Sequence, residues 1–221
     1  MDTNRKNAIF VGLFFLAAMV TSLMGAGFIE TIHAAPDYLM TYAKNLSMIR
    51  IGVFLELACG IFVIAIPVMM YSRLKKFNEN LAVGYLSLRI MEAVAITIGA
   101  IVPLLLIPLS HEYLKAGGAN LAHIQTISTL LIAVRTHVAA ILIPLFFCTS
   151  ALLFYYFLYK TKSLPRFISI WGFIGVFMIA ILNLTEVNIV TGMIFALPII
   201  ANEVFLGIWL MAKGFNEPET A

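Results

Sequence analysis

The chain has 221 residues, 62% of them hydrophobic and 11% charged, with a formal net charge of +3 and a mean hydropathy of +1.01. Soluble domains average about 45–50% apolar and about 25% charged residues, so this composition excludes an ordinary water-soluble fold, leaves no length for a soluble domain beside the spans, and gives no reason to expect a nucleic-acid partner. Cys59 and Cys148 both lie in apolar runs and form neither a CxxC pair nor a disulfide framework.

Six apolar runs follow in order, at 8–28, 48–71, 81–109, 125–159, 167–184 and 189–211. A spanning helix needs about 20 such residues, so the reading is an all-α integral membrane protein, a six-transmembrane-helix bundle occupying 1–215, with a short polar tail at 216–221. The first run follows Arg5 and Lys6 and is longer than the roughly 7–15 apolar residues of a signal peptide, so it is read as a retained span. The second carries Glu56 on a small, polar face with Gly52, Cys59 and Gly60. The third places Tyr85, Arg89 and Glu92 at i, i+4 and i+7, hence on one face, and its Pro103 and Pro108 predict a shortened or kinked end. The fourth is longer than one crossing needs, which predicts a tilt or a projecting end. It holds Arg135, with His137 on a different face. The sixth sets Asn202 and Glu203 near Pro198 and Gly207.

The connections alternate in charge. Arg5 and Lys6, then Arg73, Lys75 and Lys76, then Lys160, Lys162 and Arg166, and finally Lys213 fall on every second side. The intervening loops at 31–47, 110–124 and 185–188 hold only Lys44 and Lys115, with Asp37, Glu112 and Glu186. The positive-inside rule then puts both termini in the cytoplasm. Trp171 and Trp209, with Tyr155, Tyr156 and Tyr159, read as an aromatic belt on that side. The basic loops could also meet anionic lipid headgroups. Gly117-Gly118 reads as a turn.

Charges inside such runs demand an explanation, because one at bilayer depth costs at least about 2.5–3.5 kcal/mol. At about 1.5 Å per residue, Arg89, Glu92, Arg135 and Glu203 fall in one middle layer, with Glu56 slightly higher. Two readings stand. In one, Arg89 pairs with Glu92 or Glu203, Arg135 pairs with another carboxylate, and the network fixes helix register. In the other, the network lines a cavity and handles a proton, ion or polar solute. The surplus of Glu56, Glu92 and Glu203 over Arg89 and Arg135 favours the second, because the extra carboxylate must be protonated, bind a cation or meet water.

His137 lacks a second histidine at bilayer depth, so no bis-histidine haem is expected. His33, His111 and His123 fall in or beside the other loops without metal-site spacing and read as interfacial polarity. No GxSxG, HExxH or phosphate-loop pattern occurs, so no enzyme class, metal or cofactor is indicated.

The segments "GYLSLRIMEA" (84–93), "LPRFISIWG" (164–172) and "LPIIANEVFLGIWLMAKGF" (197–215) resemble a prokaryotic multi-pass membrane family catalogued as domain of unknown function 4386. The Arg89-x-x-Glu92 pair, Pro165-Arg166, Glu203 and Lys213-Gly214-Phe215 carry the resemblance, which covers nearly the whole chain. It implies a six-span bundle and no activity. The functional expectation is small-solute, ion or proton handling. A membrane enzyme or lipid-binding protein using the same carboxylates, or a non-catalytic accessory subunit, are the alternatives. The expected partners are membrane lipids and a small solute, ion or lipid ligand.

Overall fold

The computed structural model describes residues 3–115, 121–183 and 189–216. The Gly117-Gly118 turn, the 185–188 loop and the tail past 216 lie outside the described residues. The described chain is helical: α1 (Thr3–His33), α2 (Tyr38–Lys44), α3 (Leu46–Phe77), α4 (Glu79–Lys115), α5 (Leu121–His137), a π turn (Val138–Leu142), α6 (Ile143–Thr161), α7 (Arg166–Leu182) and α8 (Ile189–Ala212). In lipid every backbone polar group must be satisfied within its own segment, which selects helix for sequences this apolar.

Five stretches are long and apolar enough to cross a membrane: Asn4–His33, Leu46–Phe77, Glu79–Lys115, Leu121–Thr161 and Ile194–Ala212. These make the chain a multi-pass membrane protein. The apolar run at 167–184 corresponds to α7, which has 17 residues. It rises about 26 Å, slightly less than a hydrocarbon core of about 30 Å.

Local chemistry sets the boundaries. The Asp37 carboxylate accepts the Met40 N–H at 3.1 Å and starts α2. Asn78 accepts the Leu81 N–H at 2.9 Å and starts α4. Lys162 takes a left-handed conformation, φ 50°, and ends α6. Pro165 then precedes α7.

Two expectations about boundaries are corrected. The helix containing Pro103 and Pro108 does not shorten but runs through both to Lys115, which lipid-embedded helices tolerate when the freed carbonyls find other partners. The 31–47 connection is not loop throughout: α1 continues to His33 and α2 follows.

The long helices form a ring. α1 packs on α3 and α8, α3 on α4, α4 on α6, α6 on α7, and α7 on α8. Close seams hold it. A Cβ on Gly12 would lie 2.5 Å from the Gly207 carbonyl oxygen, and one on Gly25 would lie 2.9 Å from that of Gly52. Small residues thus let α1 approach α8 and α3. The first and last helices meet at one end, where the Arg5 guanidinium donates to the carbonyls of Leu210 (3.1 Å), Met211 (2.6 Å) and Ala212 (3.0 Å). The larger apolar core, around Tyr85, Phe154, Tyr155 and Leu206, fills the half nearer this end. A smaller one around Ile29, Tyr42, Ile49 and Leu106 fills the other.

Candidate functional site: a charged cavity within the helix ring

The sequence places its buried charges on α3, α4, α5 and α8, and the ring brings them to one space. A single cavity of about 530 Å³ is lined by Glu56, Arg89, Glu92, Arg135 and Glu203, together with Glu30 of α1. The charges do not form one layer. They divide into two clusters, one around Arg135 and one around Arg89.

Arg135 is the centre of the first. Its guanidinium grips both Glu56 carboxylate oxygens, at 2.5 and 2.9 Å, and donates Nε–H to Glu30 at 3.0 Å. A fourth bond, 2.9 Å, runs to the Gly99 carbonyl. That carbonyl is available for a reason written in the sequence: its ordinary helical donor would be residue 103, which is proline and has no N–H. Arg135 therefore fills the gap that Pro103 leaves. Bidentate arginine–carboxylate pairing adds geometric specificity to the charge attraction.

The same cluster extends toward α2. The Tyr42 hydroxyl lies 2.5 Å from His33 Nε2, and His33 Nδ1 lies 3.4 Å from Glu30. With Tyr42 donating, His33 carries its proton on Nδ1, facing Glu30. Tyr42, His33, Glu30, Arg135 and Glu56 thus form one connected polar chain from α2 into the cavity. Burial pushes the Tyr42 phenol above the usual tyrosine range, so it keeps its proton.

The second cluster is sparser. Arg89 and Glu92, 4% and 5% exposed, pair at 3.1 Å within α4. Gly99 stands seven residues beyond Glu92, so the Arg135 centre lies roughly 10 Å farther along α4. The Arg89 guanidinium also lies over the rings of Tyr85 and Phe147, at 5.5 and 5.6 Å. Among the described residues its Nε and the Tyr85 hydroxyl are buried without hydrogen-bond partners. Glu203 lines the cavity and is electrostatically coupled to Arg89 and Glu92, yet among the described residues its carboxylate makes no hydrogen bond.

The π turn forms part of the cavity wall. Pro144 cannot donate an i→i−4 bond, and the helix widens immediately before it into Val138–Leu142. Such turns are frequent at functional sites. Ala139 of this turn and Ser22, Leu23 and Glu30 of α1 line the cavity and are exposed, so the cavity opens to the surface along these residues. Leu23 is about 15 Å from the nearer end of α1, which puts the mouth beside it at bilayer depth.

Three residues named from sequence lie elsewhere. Asn202 is fully buried and joins three helices, accepting the Tyr155 hydroxyl at 2.7 Å and donating to the Ile168 carbonyl at 2.9 Å. Tyr85 packs beneath Arg89 and does not line the cavity. His137 is exposed on the outer surface of the ring.

Glu30, His33 and Tyr42 had not been singled out for the site. Glu30 falls just past the end of the first apolar run, where a carboxylate reads as loop. Its spacing to His33 (i, i+3) was the available signal that the helix continues. Among the described residues no group of three or more His, Cys, Asp or Glu could hold a metal ion.

Comparison with known proteins adds the family. A family model described as a domain of unknown function (DUF4386) matches residues 10–214. No curated protein and no solved structure matches the chain. The chain belongs to the DUF4386 family.

Proposed function

We propose that this protein is a six-span bundle of a prokaryotic cytoplasmic membrane, with both termini cytoplasmic, whose cavity handles a proton or a small cationic solute. The charge balance of the cavity carries this reading. Four carboxylates (Glu30, Glu56, Glu92, Glu203) face two arginines (Arg89, Arg135), and both arginines are already ion-paired. An entering anion would meet surplus negative charge, whereas a cation or proton would relieve it. Glu203, with no hydrogen-bond partner among the described residues, is the carboxylate best placed to exchange.

A purely structural network, as in an accessory subunit, would be dry and fully paired; the cavity and the free Glu203 carboxylate weigh against it. The mouth at Ser22, Leu23 and Ala139 favours a second reading, in which an amphiphilic ligand reaches the same carboxylates from the lipid. The six-span topology draws support from Arg5 bonding the last turn of α8, because ends that meet on one side require an even number of crossings.

The functional test pairs proton and cation flux in liposomes with thermal stability in detergent for Glu56→Gln, Glu92→Gln and Glu203→Gln. Glu203→Gln should fold and lose flux. Unchanged flux in all three would overturn the reading. For topology, a cysteine at Asn78 should be shielded from an impermeant thiol reagent in whole cells, and one at Asn45 should be labelled. The reverse pattern would invert the orientation.

A further inference from the structure

A second cavity, of about 300 Å³, lies among the first turns of α1, the last turns of α3 and the end of α6. Its chemistry is the opposite of the first. Arg73 and Lys76 line it, with Asn4, Asn7 and Ser72, and among the described residues no carboxylate does. Arg73 and Lys76 stand at i and i+3 on α3 and so share a face. Lys75, between them, is turned away and paired with Glu79 at 2.9 Å. Among the described residues neither Arg73 nor Lys76 has an acidic partner. The Arg73 guanidinium is held over the Phe215 ring, 4.6 Å from its centroid, which fixes its plane while leaving its N–H donors free. The remaining walls include Met69, Phe77 and Phe157.

We propose that this cavity binds a phosphate group, the arginine and lysine neutralising it and the asparagine and serine side chains completing its hydrogen bonds. Two cations that share a recess with no carboxylate among the described residues favour an anion, and arginine with lysine is a chemistry suited to phosphate oxygens. The site sits at the end of the bundle that gathers the basic loops, where headgroups of anionic lipids lie close by. The apolar walls, with Phe77 39% exposed, suit an acyl chain leaving the phosphate. The phosphate can come from a lipid headgroup or from solution, and the test separates the two. The site is remote from the Glu/Arg cavity and stands or falls independently of its function.

The experiment is native mass spectrometry of the detergent-solubilised protein with dioleoyl phosphatidylglycerol, with dioleoylglycerol as the same chains without phosphate, and with inorganic phosphate. One phosphatidylglycerol should remain bound where dioleoylglycerol does not. Arg73→Gln and Lys76→Gln should each weaken it by roughly tenfold, while Lys75→Gln, an equal change in net charge outside the cavity, should leave it unchanged. Lys76 is exposed, so its variant tests the site even if Arg73→Gln folds poorly. Equal protection by inorganic phosphate, lost in the same two variants, would confirm the site and assign it to free phosphate. Binding that ignores Arg73 and Lys76, or that falls as far in Lys75→Gln, would overturn the proposal.

Discussion

Pro103 and Arg135, on different helices, are linked through one carbonyl: proline leaves the Gly99 oxygen without its helical donor, and Arg135 donates to it at 2.9 Å. The two residues should therefore couple. Arg135→Met alone strands both Glu56 and the Gly99 carbonyl. In a Pro103→Ala background the helix recovers its own donor for Gly99, so the arginine's removal should cost about 1 kcal/mol less. A double-mutant cycle by thermal unfolding in detergent measures this, and strict additivity would disprove the link.

Removing one partner of a buried pair costs more than removing both. Arg135→Met should destabilise the protein by about 3–5 kcal/mol, and adding Glu56→Leu should restore part of that loss. The check is the midpoint of unfolding of the two variants side by side. A double variant no more stable than the single one contradicts the ion-pair account.

Arg89→Leu strands Glu92 in the cavity, whereas Lys75→Leu breaks an exposed pair with Glu79. The first should lower the unfolding temperature clearly and the second hardly at all. Equal shifts would mean that Arg89 contributes no more than a surface charge.

Tyr42 supplies the pH test. Its pKa is raised by burial, so the native state holds the phenolic proton more tightly than the unfolded chain. Stability from this group is fully present below the unfolded tyrosine value of about 10 and is lost as pH rises past it. Tyr42→Phe also forfeits the bond to His33, worth about 1 kcal/mol. The wild type should therefore be the more stable at pH 7, and the gap should close above about pH 10. Parallel unfolding curves for the two proteins across that range would refute the assignment.

Much of the fold was legible because lipid as solvent leaves few options. Long apolar runs read as helices, and the shared face of Tyr85, Arg89 and Glu92 follows from helical period alone. What the residues could not reveal was depth across helices. Equal distances from helix ends suggested one charged layer, yet α5 begins at Leu121, α1 runs on to His33 and a π turn intervenes before α6. Each shifts a side chain along the membrane normal without altering its spacing within its own run. Glu30 was lost to this effect, and with it the connection to His33 and Tyr42. Pro103 predicts a shortened or kinked end; the helix is not shortened, and the carbonyl that the proline frees is met from a neighbouring helix.

The α1–α8 seam has a consequence for biosynthesis. α1 is made well before α8, yet Arg5 caps the final turn of α8 and Gly12 packs on Gly207. Until the last helix enters the bilayer, the ring is an open crescent. The cavity then lacks the Ile199, Ile200 and Glu203 part of its wall. A chain stalled or truncated before α8 should therefore be a poor membrane resident and a ready substrate for membrane proteolysis, and arrival of that helix is the step that closes the cavity wall.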